Sequence, residues 1–502
     1  MTNIKSFKSF IVENDSSTLT DGSNKSVTNL KAGKKADDIG NVGFDQTILQ
    51  IGFGAVGQDL LSVIIKHVAA DPKKITVIEK DDHGKHFRKY YGGSGVKYIK
   101  KEINKGNLES TLKKYLKPGG FLIDVSVDID VKAILKWCFE NDVMYINTSM
   151  ERWPSKADED IKNLSDRTLF HTHNDVREFA KSYPNAATAA CQQGMNPGSV
   201  SHFAKRALLL IAEKKKIKYT TPTSKEEWAQ LMKKIGVDVI QISERDSQII
   251  DKSKEVNEFV NSWSVAGAKA EMRAPSEFGY GTAETGVLED GEIQGPAAFF
   301  NKPGVSVLVK GYVPLSGTYN GFLLQHSESI TMSQYFETED KSYRPSVYYC
   351  YLPTDACVAS IHEFRSKELD ITSKERIVKD EILKGIDELG VLMICKDTSY
   401  WYGSRLDINR ARELVPGSNA TTVQVVGNML GTIIWAIQNP RKGYIEPEDT
   451  DYEFILKYAD PYLEPLVFLE VDWRPEEVRT ELFDIPFNKK KPNCIQNYLV
   501  TK

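Results

Sequence analysis

Thr47-Ile-Leu-Gln-Ile51-Gly52-Phe53-Gly54-Ala55-Val56-Gly57-Gln58 is the stretch from which the fold is read. Its first five residues make a short apolar run closed by glycine, which predicts a buried strand. A helical pattern follows from Val56 to Val68. Between the two, the Gly-x-Gly-x-x-Gly spacing permits a tight turn, close approach of backbone to a pyrophosphate, and close packing of helix on strand. The helix N-terminus offers amide donors and partial positive charge to the phosphates. A second strand at Ile75–Ile78 is followed by Glu79, placed to accept from ribose hydroxyls and to repel a 2′-phosphate. The turn is therefore expected to hold NAD. Lys80 and Arg88 stand nearby and weaken the preference over NADP, and a purely structural glycine turn is the alternative.

Outward from this unit, Leu108–Leu116 reads as a helix, Phe121–Val127 as a strand, Val131–Asn141 as a helix and Val143–Thr148 as a strand. This alternation predicts an α/β fold, a Rossmann-type doubly wound parallel sheet with ligands at the carboxyl ends of its strands. Residues 237–243, 304–313 and 321–332 are β-like with long Gly- and Pro-containing connections, which predicts a mixed α+β second domain. Lys374–Leu389 and Ser418–Gln438 read as helices, the second stopped by Asn439-Pro440. The expected division is a disordered tail over 1–44, an NAD-binding domain over 45–195, and a second domain over 196–395. A helical segment over 396–502 is expected to pack back on the NAD-binding domain.

Composition narrows the function. Lys and Arg total 65 against 69 Asp and Glu in 502 residues, a net charge of −4, so no nucleic-acid partner is expected. The six cysteines include no C-x-x-C pair, so no metal site is expected and a reducing cytoplasm is the expected location. The first 44 residues hold no apolar run of signal-peptide length. No segment reaches the ~18 apolar residues of a membrane span; Val423–Ile437 comes nearest but is interrupted by Gln424 and Asn428.

Three features outside the turn suggest chemistry. Cys191-Gln-Gln-Gly-Met-Asn196-Pro197-Gly198-Ser is a turn followed by a helix start, so Asn196 is held in a rigid, non-helical conformation. From Glu255 to Glu292 there are eight acids (Glu255, Glu258, Glu271, Glu277, Glu284, Glu289, Asp290, Glu292) against two bases, Lys269 and Arg273, with Trp263 among them. Carboxylates beside an indole suit an organic cation, although by composition alone a solvated charged face with a core Trp is the more usual reading. His326 ends a β-like run and is either a general acid/base or a strand-end hydrogen-bonder.

Taken together the segments resemble bacterial-type homospermidine synthases of the saccharopine dehydrogenase-like superfamily. The resemblance rests on Ile51–Gln58, Asn147-Thr-Ser-Met-Glu151, Gly194-Met-Asn-Pro-Gly198 with Val200-Ser-His-Phe203, Ser243-Glu-Arg-Asp246, Asn261-Ser-Trp-Ser-Val265 and His326-Ser-Glu-Ser-Ile330. Ile386-Asp-Glu-Leu-Gly-Val-Leu392 and Tyr400-Trp-Tyr-Gly-Ser404 complete it. It implies that residues 196–395 bind substrate and form a homodimer, and that the enzyme oxidises one putrescine, releases ammonia, joins the carbon to a second putrescine or a spermidine as an imine, and reduces it with recycled NAD. It also implies substrate-site residues at Glu151, Asn196, Glu244, Trp263, Glu271 and His326, with Glu244 or Glu271 as the proton acceptor and His326 as the alternative. The cofactor residues expected are Gly52, Phe53, Gly54, Ala55, Val56, Gly57, Glu79, Val125, Ser126, Thr148, Asn196 and Pro197. The chain departs from the family pattern at Ala266 and Tyr280, where an acid and a Trp are expected. The other readings are a net oxidoreductase acting on a carboxylate-bearing amine, which would need an Arg clamp, and a catalytically silent NAD-binding sensor.

Overall fold

The computed structural model describes residues 12–13, 28–30, 33–154, 164–286, 290–370, 373–475 and 487–500. Ile48–Ile51, Ile75–Glu79, Phe121–Asp124 and Met144–Asn147 are strands of one seven-stranded sheet whose neighbours all run parallel. These four strands are buried along their whole length, because helices cover both faces and leave no reason for polar alternation. Ala55–His67, Leu108–Tyr115 and Val131–Glu140 are the intervening helices. Gly84–Tyr91 and the edge strand Lys97–Lys100 add a helix and a strand that lysine-rich sequence concealed.

A twelve-stranded mixed sheet builds the second domain. Its central strand, Val237–Asp246, runs antiparallel to Ile386–Cys395 and parallel to Ser346–Leu352. Two expectations fail here. Lys374–Leu389 is not a helix: Lys374–Ile377 and Ile382–Lys384 are short strands, and Ile386 opens a long one. Gly385 at φ 124° breaks any helix. A Cβ on Gly390 would lie 2.4 Å from the Tyr402 carbonyl, so the strand also needs glycine to approach its neighbour. Residues 321–332 split into the end of strand Gly317–Leu324 and the start of helix Ser327–Tyr335, with His326 as the residue before the helix.

The chain ends differ from the expected division. Thr28–Leu30 pairs antiparallel with Leu466–Val471, and Ala36, Ile39 and Phe44 are buried in the core of the first domain. The rest of the expected tail lies partly outside the described residues. Ser399–Asp407 and Leu466–Val471 are strands that extend the second sheet, so 396–502 is not simply helical. Within it, Ala420–Gln438 lies against Ala55–His67 and shares that domain's core. By length and composition this helix could cross a membrane, but 89% of its most apolar window is buried inside the protein.

Candidate active site

The turn after the first strand has the geometry a dinucleotide needs. Gly52 sits at φ 96° and its N–H donates to the Ile78 carbonyl at 2.9 Å. A Cβ on Gly57 would lie 2.4 Å from the Gly52 carbonyl, whereas one on Gly54 would meet nothing within 4 Å. The turn is thus packed tight beneath and open above, where a pyrophosphate fits. Glu79 is buried; its Oε2 accepts from the Phe53 N–H at 2.5 Å and its Oε1 from the Asp81 N–H at 2.9 Å. A carboxylate fixed beside the turn suits ribose hydroxyls and repels a 2′-phosphate. The Phe53 side chain points away from this opening, into rings of Phe87 and Tyr98 at 5.6 and 5.8 Å.

A cavity of about 570 Å³ opens where the carboxyl ends of the parallel sheet face the second domain. Its wall includes Val56, Val125, Ser126, Thr148, Asn196 and Pro197, and also Glu151, Glu244, Trp263, Glu271 and His326. Sequence positions more than 170 residues apart thus meet in one space. Gly52, Phe53, Gly54, Ala55, Gly57 and Glu79 are not in this wall.

Each polar side chain is held in place. Asn196 precedes a cis Pro197 and Gly198, whose φ of 135° and contact with Gly194 admit only glycine. Asn196 Nδ2 donates to Glu244 Oε2 at 3.0 Å, and the Tyr349 hydroxyl donates to the same oxygen at 2.5 Å. Burial pushes the Glu244 carboxyl up to about 8; the Tyr349 and Asn196 hydrogen bonds oppose this and the nearby Asp246 adds to it. Burial also raises Glu151 to about 7, against hydrogen bonds from Asp128 N–H and Ser149.

His326 Nδ1 lies 2.8 Å from Glu328 Oε2, and its Nε2 lies 3.7 Å from Glu271 Oε1. Burial works to lower the imidazole, but the Glu328 charge and then Glu271 outweigh it and raise it to about 10. At neutral pH the ring is therefore an imidazolium between two carboxylates. Glu328 sits in the first turn of its helix, where an anion is favoured. The Trp263 indole donates to the Tyr351 hydroxyl at 3.1 Å, and its ring lies against Gly267, where a Cβ would approach to 2.8 Å.

The acidic stretch does not act as one. Glu258 pairs with Arg376, Glu255 with Lys252 and Lys374, and Glu277 accepts from the N–H groups of Leu169 and Phe170. Glu284 bonds Ser346 and the Ile495 N–H; Glu289 lies outside the described residues. Among the described residues of the stretch only Glu271 reaches the cavity, and the other carboxylates of its wall come from elsewhere in the chain. Ala266 and Tyr280, the departures from the family pattern, are not in the wall.

Sequence reading missed Asp128, Tyr349 and Glu328. Tyr349 is one of three tyrosines in Val347-Tyr-Tyr-Cys-Tyr-Leu352, and alternation alone could not say which faces the site. Glu328 follows His326 by two residues and could have been paired with it. Three arginines reach the wall, and their donors go to the protein. Arg273 bonds the Leu369 carbonyl, Arg152 bonds Thr172 and the Asp166 carbonyl, and Arg167 is engaged as well.

Known proteins match this chain along most of its length. The saccharopine dehydrogenase NADP binding domain matches residues 48–191, and the saccharopine dehydrogenase C-terminal domain matches residues 194–467. The homospermidine synthase of Blastochloris viridis is 34% identical over 469 residues, covering 91% of this chain and 98% of the relative. That of Mesorhizobium japonicum is 32% identical over 468 residues, covering 90% and 96%. The crystal structure of the homospermidine synthase of Legionella pneumophila in complex with NAD superposes with a TM-score of 0.84 at 33% identity, covering 92% of this chain and 99% of that one. The open glycine turn and the buried Glu79 fit the same cofactor. The chain belongs to the homospermidine synthase family of saccharopine dehydrogenase-like enzymes.

Proposed function

We propose that the protein joins two putrescine molecules into homospermidine with release of ammonia, working as a homodimer with NAD recycled in each cycle. What supports this most is that Glu151, Glu244 and Glu271 line one cavity together with the Trp263 ring, beside a dinucleotide turn. A diamine dication needs carboxylates to neutralise it and gains from an aromatic face. An enzyme for carboxylate-bearing amines needs a free Arg clamp, and the arginines of this wall bond the protein instead.

The turn from Gly52 to Gly57 holds the pyrophosphate, Glu79 the ribose, and Val125, Ser126, Thr148, Asn196 and Pro197 line the nicotinamide end. Bound NAD supplies a hydride acceptor that becomes the donor later in the same cycle. Oxidation at an amine-bearing carbon needs the neutral amine, so a base must first take an ammonium proton. Glu244 does this: its burial raises its affinity for a proton toward that of an amine, and Asn196 and Tyr349 aim its carboxyl. His326, already an imidazolium, is not the base; it holds Glu271 toward the cavity. Trp263 stabilises the cationic imine through its ring face. Holding both amines in one space makes their condensation effectively intramolecular.

The test is mass spectrometry of the purified protein incubated with putrescine and NAD. Homospermidine and ammonia without accumulating NADH are expected. Accumulating NADH would indicate a net dehydrogenase, and absence of product would reject putrescine as substrate.

A further inference from the structure

Two putrescine dications become one homospermidine trication and one ammonium ion, so turnover takes up and gives off no net proton. Within the cycle, however, ammonium groups must lose protons before oxidation and before attack, and amines must regain them. The site therefore needs groups that change protonation as the charge in the cavity changes. Glu244 touches the cavity, and beneath it lie two carboxyl groups that the mechanism above does not use.

Asp246 follows Glu244 by two residues on the central strand, so both point to one face. Asp387 is the direct antiparallel partner of Asp246 on the next strand, while Leu389 is the partner of Glu244. All three acids are at most 2% exposed. Asp246 Oδ1 accepts from the Gln248 N–H at 2.9 Å, and its Oδ2 accepts from Ser262 at 2.8 Å and Thr421 at 3.2 Å. Neither Asp387 side-chain oxygen has a partner in good hydrogen-bond geometry among the described residues; the Thr421 hydroxyl is the donor near enough to favour its charged form. Gln424, whose Nε2 donates to the Asp387 carbonyl at 3.0 Å, also leaves its Oε1 without a donor. Thr421 belongs both to this network and to the cavity wall.

Like charges directly opposite on neighbouring strands destabilise a sheet, and an isolated buried carboxylate is costlier still. The charged or titratable groups around the pair are Glu244, with Tyr349 and His326 beyond it, Tyr351 on the parallel strand, the buried Cys357 thiol on helix Asp355–Ser366, and Glu388, which Arg405 neutralises. The helix that covers the pair brings only the uncharged Thr421 and Gln424 against it. No cation therefore meets Asp387 directly among the described residues. Burial and then the neighbouring Glu244 and Asp246 hold the Asp387 carboxyl well above the usual range, and burial raises Asp246 too.

We propose that Asp246 and Asp387 form a buried proton store beneath Glu244, which keeps a proton while the cavity holds no cation and gives it up when a diamine dication enters. The carboxyl O–H breaks, the proton leaves by way of the Thr421 hydroxyl and cavity water to buffer, and the new carboxylate charge offsets the ammonium. The site's negative charge thus follows the positive charge of what it holds. Asp387 acts through the field at Glu244 and is a positioning residue, not a group in contact with substrate.

This inference rests on the proposed diamine substrate, and its test separates the two. Calorimetric titration of putrescine into the NADH-loaded protein, which cannot oxidise it, is run in buffers of different ionisation enthalpy to count protons. The wild type is expected to release about one proton per site near neutral pH, so that putrescine affinity rises by about tenfold per pH unit there. Asp387→Asn and Asp246→Asn should each cut the proton number by about half or more. NADH affinity, measured on the same samples, reports that the variants are folded. Wild-type binding without proton release, or an unchanged count in both folded variants, would overturn the store. The pH dependence of wild-type affinity tests it without any variant, and an affinity that stays flat near neutral pH would overturn it as well. Failure of putrescine to bind at all would overturn both this inference and the reading it rests on.

Discussion

Glu244→Gln is the substitution that tests the assigned proton transfer most closely. Glutamine has the same shape, and its Oε can keep the hydrogen bonds from Asn196 at 3.0 Å and Tyr349 at 2.5 Å. The local structure should therefore survive while the capacity to take a proton is lost. A positioned general base contributes a factor of about 10²–10⁴, or about 3–5 kcal/mol of barrier. Since burial raises Glu244 to about 8, the wild-type rate should climb as pH rises through that value, because the base works only when ionised. Single-turnover formation of NADH after mixing NAD-loaded protein with putrescine, followed across pH, measures both effects. The variant should be slower by that factor, lack the rising limb, and bind NAD as the wild type does. A loss below about tenfold, or a limb that persists, would refute the assignment.

Trp263→Ala removes a ring face worth about 0.5–2 kcal/mol to a cation, so kcat should fall by about 2- to 30-fold with NAD affinity intact, and Trp263→Phe should restore most of it; unchanged turnover would remove the indole from the cationic imine. Glu79→Ala should weaken NAD by about tenfold or more, the worth of charge-assisted hydrogen bonds, in a fluorescence titration, and unaltered affinity would take Glu79 off the ribose. Gly57→Ala places a Cβ 2.4 Å from the Gly52 carbonyl. That overlap should cost about 1–3 kcal/mol in thermal or denaturant unfolding and lower NAD affinity with it, whereas a neutral effect would mean the turn is slacker than it looks.

The first domain was legible because its signals are local. Short apolar runs bounded by glycine, each followed by a helical pattern, can build little else than a wound parallel sheet. Motifs that keep their residues together, such as Gly194–Gly198 and Asn261–Val265, likewise pointed to side chains that the fold gathers round one cavity. What failed depended on partners far away in sequence. Lys374–Ile377 is a strand because Glu258–Asn261 offers it backbone partners, and no pattern within 374–389 announces that. The acidic stretch looked like a cation site by composition, yet Arg376, Lys252 and Lys374 claim two of its acids from outside it. Leu30 is buried because Thr28–Leu30 pairs with a strand more than 430 residues later. Tyr349 and Asp387 gain their meaning only once the central strand sets them beside Glu244 and Asp246.

In the proposed reaction the cofactor is reduced and reoxidised within one enzyme-bound cycle. Putrescine deuterated at both amine-bearing carbons, turned over in the presence of excess unlabelled NADH, tests it in one mass spectrum of the product. Retention of every deuterium in homospermidine is predicted, because what leaves the donor carbon returns to it. Homospermidine lacking one deuterium would show that the cofactor exchanges between oxidation and reduction, and would rule out the enzyme-bound cycle.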